Sequence, residues 1–303
     1  MRDILRRAVL ASLAAFATAC GDDNMITPPP PTDTLPATPA ILSPADGAEV
    51  ATDTPTLTVR NARGYDLGQA SYAFRIHMAK ADRELFAVTV PAGSGTTSVT
   101  LSEALPRGGP VAWEVTAARA AGEEVVSETA TFKPPPVACL STRGPYGKSV
   151  VDWFVPACSL AQNIYDDPLD VLGPPDAGGE GPNMYYGFMS LGDGGHVTVD
   201  MEICAVDEPG PDIRVYQSVS GEPVTLYAAG RPKGPFVLVR SRKPCGNDLG
   251  GVFSNFCDFD LASAGLDEAR YLRVEDGELY PCPGDTVTEG ADIDAVQVIH
   301  RKP

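Results

Sequence analysis

Residues 72–78 read YAFRIHM. Tyr72, Phe74, Ile76 and Met78 share one parity while Arg75 and His77 take the other, the alternation of a β-strand with one buried face. Six similar runs lie between about Ala40 and Phe132: ILSP, TLTV, LFAVTV, SVTL, VAWEVTA and TATF, with turn residues between them. About seven short strands in roughly 95 residues predict an antiparallel β-sandwich of the immunoglobulin class. No stretch carries a helix period long enough to build an α/β sheet. The fold class expected for the chain is therefore all-β.

PAILSPADGAEV (39–50), PTLTV (55–59) and PVAWEVTAARAAGEEVVSETATF (110–132) together resemble a bacterial fibronectin type III domain. The resemblance implies a domain over residues 39–133, a core tryptophan at Trp113, and service as a spacer or binding module. The chain contains no RGD, so integrin-type adhesion is not implied.

KPPPV (133–137) marks a joint, because three successive prolines cannot continue a central strand. Residues 134–137 read as a linker and residues 138–303 as a second domain. Its strands are expected at SVVDWFV, MYYGFMSL, HVTVDMEI, DIRVYQ, PVTLYAA, FVLVRS, FCDFDL, YLRVED and DIDAVQVI. Eight or nine antiparallel strands in about 165 residues suit a jelly-roll sandwich. VLGPPD (171–176), SLGDGGHVTVDM (190–201), GPDIRVY (210–216), ARYLRVED (269–276) and GADIDAV (290–296), taken in order, resemble galactose-binding-like, discoidin-type jelly rolls of exported bacterial proteins. Relatives of that group bind glycans, lipids or proteins. The insertion KPCGNDLGGVFSNFC (243–257) and the cysteines depart from the pattern.

The N-terminus places the chain in a cell. MRDILRR is cationic, AVLASLAAFA (8–17) is apolar but too short to span a bilayer, and the pair reads as an export signal over residues 1–19. Ala17, Thr18, Ala19 and Cys20 resemble the lipobox of bacterial lipoproteins, which implies a lipid on Cys20. Gly21 after that cysteine resembles outer-membrane sorting patterns, so the expected location is the bacterial envelope, at the outer membrane. The proline-rich segment that follows (residues 20–38 with the anchor) cannot bury a core and reads as a tether. At about 3.1 Å per residue it would reach roughly 50 Å from the membrane.

Without Cys20, six cysteines remain: Cys139, Cys158, Cys204, Cys245, Cys257 and Cys282. An even number in an exported chain predicts disulfides, and six allow fifteen pairings. Spacing favours short closures such as Cys139 with Cys158 or Cys245 with Cys257. No CxxC occurs, so neither a zinc site nor a thioredoxin-type motif is suggested.

The net charge is −17, and removing the signal makes it −19. Such a surface repels nucleic acid. The second domain holds 25 acidic and 12 basic residues, with its aspartates gathered in loops such as YDDPLDVLGPPD (165–176). Calcium takes six to eight oxygen ligands and suits bent acidic loops. If the ends of the jelly roll adjoin, Asp170 and Asp176 on one side and Asp292 and Asp294 on the other would share one ion. The alternative is that each aspartate caps a turn, bonding its own backbone two residues on, or faces water.

Nucleophilic catalysis has little to work with. The three histidines are His77, His196 and His300, and no GxSxG, HExxH or phosphate loop is present. Two carboxylates alone hydrolyse glycosides, but such sites normally lie in aromatic clefts. Trp113 and Trp153 both lie within strands, where core packing is expected. Tyr146, Tyr165, Tyr185 and Tyr186 suit either sugar stacking or a half-buried wall. The function expected is non-catalytic recognition of an extracellular glycan or a surface protein, with calcium ordering the loops. The alternatives are a structural component of the envelope and a carbohydrate-active enzyme.

Overall fold

The computed structural model describes residues 36–140, 143–156, 165–177, 187–218, 222–246, 255–277 and 290–302. The expectation at Cys20 and those at Cys158, Cys282, Tyr185 and Tyr186 lie outside these residues.

Every expected strand of the first half forms. They are β1 (Ala40–Ser43), β3 (Thr56–Arg60), β4 (Ala70–Met78), β5 (Arg83–Pro91), β6 (Thr96–Thr100), β7 (Val111–Arg119) and β9 (Ala130–Lys133), with short β2 (Ala48–Glu49) and β8 (Glu124–Val126) added. One sheet runs β1-β3-β6; the other runs β2-β9-β7-β4-β5, with β8 on β7. Alternation in β4 does what the sequence demanded, since Tyr72, Phe74, Ile76 and Met78 are fully buried. Trp113 is buried opposite them and its ring stacks on Phe74 at 6.1 Å. Removing apolar surface of that size from water stabilises the sandwich by about 3 kcal/mol for one such side chain.

The second half is a two-sheet jelly-roll sandwich. Its strands are β10 (Ser149–Phe154), β11 (Met189–Ser190), β12 (His196–Val206), β13 (Ile213–Gln217), β14 (Val224–Ala229), β15 (Val237–Lys243), β16 (Asn255–Phe259), β17 (Glu268–Asp276) and β18 (Asp292–Val298). A five-stranded sheet of order β10-β12-β17-β14-β15 packs on a four-stranded sheet of order β11-β18-β13-β16. Val197, Val199, Met201, Leu226, Leu272 and Val274 of the first sheet meet Ile213, Val215, Ile293 and Val296 of the second in one core.

Two bulges break the period. In β10, Val150 pairs with Val199 and Asp152 with Thr198, which leaves Val151 as an extra residue. In β18, Tyr216 pairs with Ala295 and Gln217 with Ile293, which leaves Asp294 without a partner on β13. An extra residue in one strand re-aims the side chains that follow it.

The two sandwiches are not beads on a string. Met78 of β4 lies in the second core, with Ala81 and Leu85 packed against it. The Gly108 carbonyl accepts from the amides of Asp267 and Glu268 at 2.5 and 2.8 Å. Lys80 reaches Asp267 at 2.6 Å, and the Val137 amide of the joint donates to Glu268 Oε1 at 3.2 Å. Residues 35–303 accordingly form one compact unit.

Two expectations are corrected. Cys139 bonds Cys204, 65 residues on, rather than Cys158. The residues just before β10 run back along the far end of β12, where the Leu140 amide meets the Glu202 carbonyl at 2.7 Å. Cys245 bonds Cys257 as spacing suggested. Trp113 fills a core, but Trp153, on β10 at the end of the five-stranded sheet, is 43% exposed.

Candidate functional site

The outer face of the five-stranded sheet gathers the chemistry. The Val151 bulge sets Asp152 opposite Thr198 and Phe154 opposite His196, and pairs that oppose each other share a face. The next strand continues the rows, with Arg273 opposite Thr198 and Glu275 opposite His196. Tyr227 of β14 then faces Arg273.

The side chains lock to one another. Asp152 Oδ2 lies 3.1 Å from His196 Nε2 and accepts from Arg273 Nη2 at 3.0 Å. Arg273 Nε donates to Thr198 Oγ1 at 3.0 Å, and its guanidinium sits 4.6 Å above the Phe236 ring. Phe154 tilts against His196 with centroids 6.0 Å apart and is 51% exposed. Gly195 makes room beside it, because a Cβ there would crowd the Leu191 and Phe154 carbonyl oxygens. Burial, and the Glu275 carboxylate next to it, hold the Tyr227 phenol above its usual range.

Phe154 of β10 and Phe236, just before β15, flank the row, with Arg273 reaching Asp152 on one side and the Phe236 ring on the other. Between them stand two carboxylates, an imidazole and a guanidinium. An aromatic face packs on apolar C–H surface while its charged neighbours exchange hydrogen bonds with hydroxyls, which is the combination a sugar presents.

The acidic loops meet by a different route from the one expected. β10 and β18 are not neighbours; β11 and a 3-10 turn at Pro168–Val171 lie next to β18 instead. The bulged Asp294 accepts from the amides of Asp176 and Ala177 at 3.0 and 3.2 Å, tying the aspartate-rich loop to the last strand. Burial pushes Asp294 up to about 6 and Asp292 up to about 6, with Ser190 bonded to the latter. Among the described residues, Asp292 Oδ1 is buried without a hydrogen-bond partner. Burial, followed by the charges of Asp167 and Asp176, raises Asp170.

Among the described residues, three acidic oxygens draw within 4.8 Å of one another at a different place, on Asp207, Asp212 and Asp260. Those oxygens are engaged. Asp212 takes the amides of Glu208 and Leu261 at 3.0 and 2.9 Å and sits 3.1 Å from His300 Nδ1. Lys80 lies 3.3 Å from Asp207, and Asp260 caps the Ala262 amide at 2.8 Å.

No family model matches the chain. No curated protein is similar to it either. Among solved structures it is similar to CopC from Methylosinus trichosporium OB3b at 14% identity, over 34% of this chain and 99% of that one, with a TM-score of 0.26. It is also similar to a carbohydrate-binding module of the β-sandwich superfamily and to a SusE-like protein, each at 10% identity over 88% of this chain and 98% of the other, with TM-scores of 0.25. Likenesses this faint leave the sheet face itself as the guide to function.

Each histidine pairs with an aspartate: His77 with Asp82, His196 with Asp152 and His300 with Asp212, all at 3.1 Å. Tyr165 stacks on Phe188 at 4.7 Å, and Tyr146 bridges to Gln297 beside Tyr216. Asp152, Phe154, Phe236 and Arg273 do not stand out as candidate residues in the sequence. A signal for the first two existed in SVVDWFV, whose apolar residues occupy both parities in place of alternating.

Proposed function

We propose that this protein is a non-catalytic glycan-recognition component of a bacterial envelope, binding sugar on the outer face of the β10-β12-β17-β14-β15 sheet. The observation that carries the reading is Phe154, half exposed and braced beside Asp152, His196 and Arg273. A large ring left in water next to a fixed set of donors and acceptors suits a polar ligand with an apolar face. Export and a lipid on Cys20 are proposed on the sequence of the first twenty residues.

Calcium is proposed as a structural ion of the acidic loop. The orphaned Asp292 Oδ1 and the mutual repulsion of Asp167, Asp170 and Asp176 support a cation there. Asp170, Asp176 and Asp292, whose oxygens do not stand within 4.8 Å of one another as a set, would have to draw together to supply its oxygens, since Asp294 is already committed to two amides.

The test is a glycan array probed with the soluble chain, residues 21–303, in calcium and in chelator. A restricted set of glycans should bind, and Phe154→Ala should silence it. Uniform silence in both buffers rejects the reading. Metabolic labelling with a fatty acid that is lost in Cys20→Ser checks the anchor.

A further inference from the structure

From Pro223 to Asn247 the chain carries five cations and no acid, although its net charge is −17. Arg231 finds Asp53 across the junction at 2.7 Å. Lys243 donates to the Asp258 carbonyl and lies 5.2 Å over the Phe259 ring. Arg240 and Arg242 are exposed, and among the described residues neither makes an ion pair.

Arg240 lines a cleft of about 400 Å³ together with Lys243, Phe259, Ser263, Gly210 and Pro211. β15 ends the five-stranded sheet and β16 ends the four-stranded one, so the cleft lies along the open edge of the sandwich. Its walls are tied. The Cys245–Cys257 bridge joins them at one end, and Ser263 Oγ donates to the Val239 carbonyl at 2.8 Å at the other. A cleft fixed in advance loses little entropy when it is filled.

Asp258 and Asp260 line it as well as Arg240 and Lys243, but both carboxylates are engaged. Asp258 is matched by a two-pronged contact from Arg214 at 2.7 and 2.8 Å, and Asp260 caps its own turn. β15 departs from regular pairing on both sides of Arg240, and Arg242 sits at φ 48°, a conformation that a non-glycine residue keeps only where its surroundings impose it. An unpaired guanidinium over an apolar wall suits a planar or tetrahedral oxyanion.

We propose that the β15–β16 cleft receives the carboxylate or sulfate of an acidic sugar, with Arg240 as the fork that binds it and Pro211 as the wall on which the ring packs. The overall negative charge limits the ligand to one whose anions are few or widely spaced, since a dense polyanion would be repelled. The site is separate from the sheet face. It rests on the glycan reading for the sugar, not for the anion.

Titration calorimetry on the soluble chain tests this with three probes: an oligogalactoside ending in a single galacturonate, an oligogalactoside carrying a single sulfate, and the uncharged oligogalactoside. At least one charged probe should bind and weaken as salt rises, and the arm that binds identifies carboxylate or sulfate as the source. Arg240→Gln should lower that affinity about ten- to a hundredfold, and Arg240→Lys should retain part of it. Failure of both charged probes to bind, unchanged affinity in Arg240→Gln, or binding indifferent to salt overturns the proposal. Neutral-glycan binding reports on the sheet face, so failure there leaves the cleft result standing.

Discussion

Asp53, in the turn before β3, accepts a hydrogen bond from Arg231 of the second sandwich at 2.7 Å while Arg107 of its own sandwich holds it at 2.8 and 2.9 Å. One carboxylate, 11% exposed, therefore serves two cations from two cores. Removing one member of a buried ion set strands the rest, which costs about 3 kcal/mol or more. Asp53→Ala should lower stability by that amount in a denaturant titration. The unsubstituted chain should unfold in one calorimetric transition, and two separate transitions would contradict a shared unit.

Asp292 and Asp294 titrate near 6 because burial raises them from 3.8. The folded chain therefore keeps protons that the unfolded chain releases between about pH 4 and 6. These carboxyls favour the fold at acid pH and cost stability as pH rises through that window. In chelator, Asp292→Asn should stabilise the protein at pH 7.5 by roughly 1–2 kcal/mol and flatten the pH dependence, read by urea unfolding at both ends of the range. In calcium the same change should destabilise. A substitution effect of the same sign in both buffers would remove the ion from the account.

The two tryptophans should behave oppositely. Trp113→Ala empties a core and should cost about 3–5 kcal/mol, whereas Trp153→Ala should change stability by less than about 1 kcal/mol. Urea midpoints distinguish the two outcomes.

Peptide mapping without reduction should return Cys139 joined to Cys204 and Cys245 joined to Cys257. Closing a loop of 65 residues restrains the unfolded chain by roughly 4 kcal/mol, so Cys204→Ser should lower stability by about that much. A Cys139–Cys158 peptide would show that the short closure wins after all.

On the sheet face, Arg273→Gln should weaken glycan binding by releasing Asp152 and leave the β10 aromatics in place. Asp152 is the acceptor that both Arg273 and His196 share. Array intensity measured alongside near-ultraviolet circular dichroism separates lost binding from lost structure; full binding with an intact spectrum would take Arg273 out of the site.

Period-two alternation wrote most of the strands into the sequence, because the face on which a side chain lies is decided by the residue's own parity and by water. Tyr72, Phe74, Ile76 and Met78 needed no knowledge of the rest of the chain to predict their burial. Proline runs and the cation-rich segment near Arg240 were equally local. The partner of Cys139, the outward turn of Phe154, the docking of Asp53 on Arg231 and the reach of Asp294 to the Asp176 amide were not. Each depends on which distant strands adjoin and on where one extra residue, Val151 or Asp294, shifts the register of everything after it. Such closeness is settled only when two sheets pack and non-local neighbours compete for the same atoms, so tertiary structure alone decided the site.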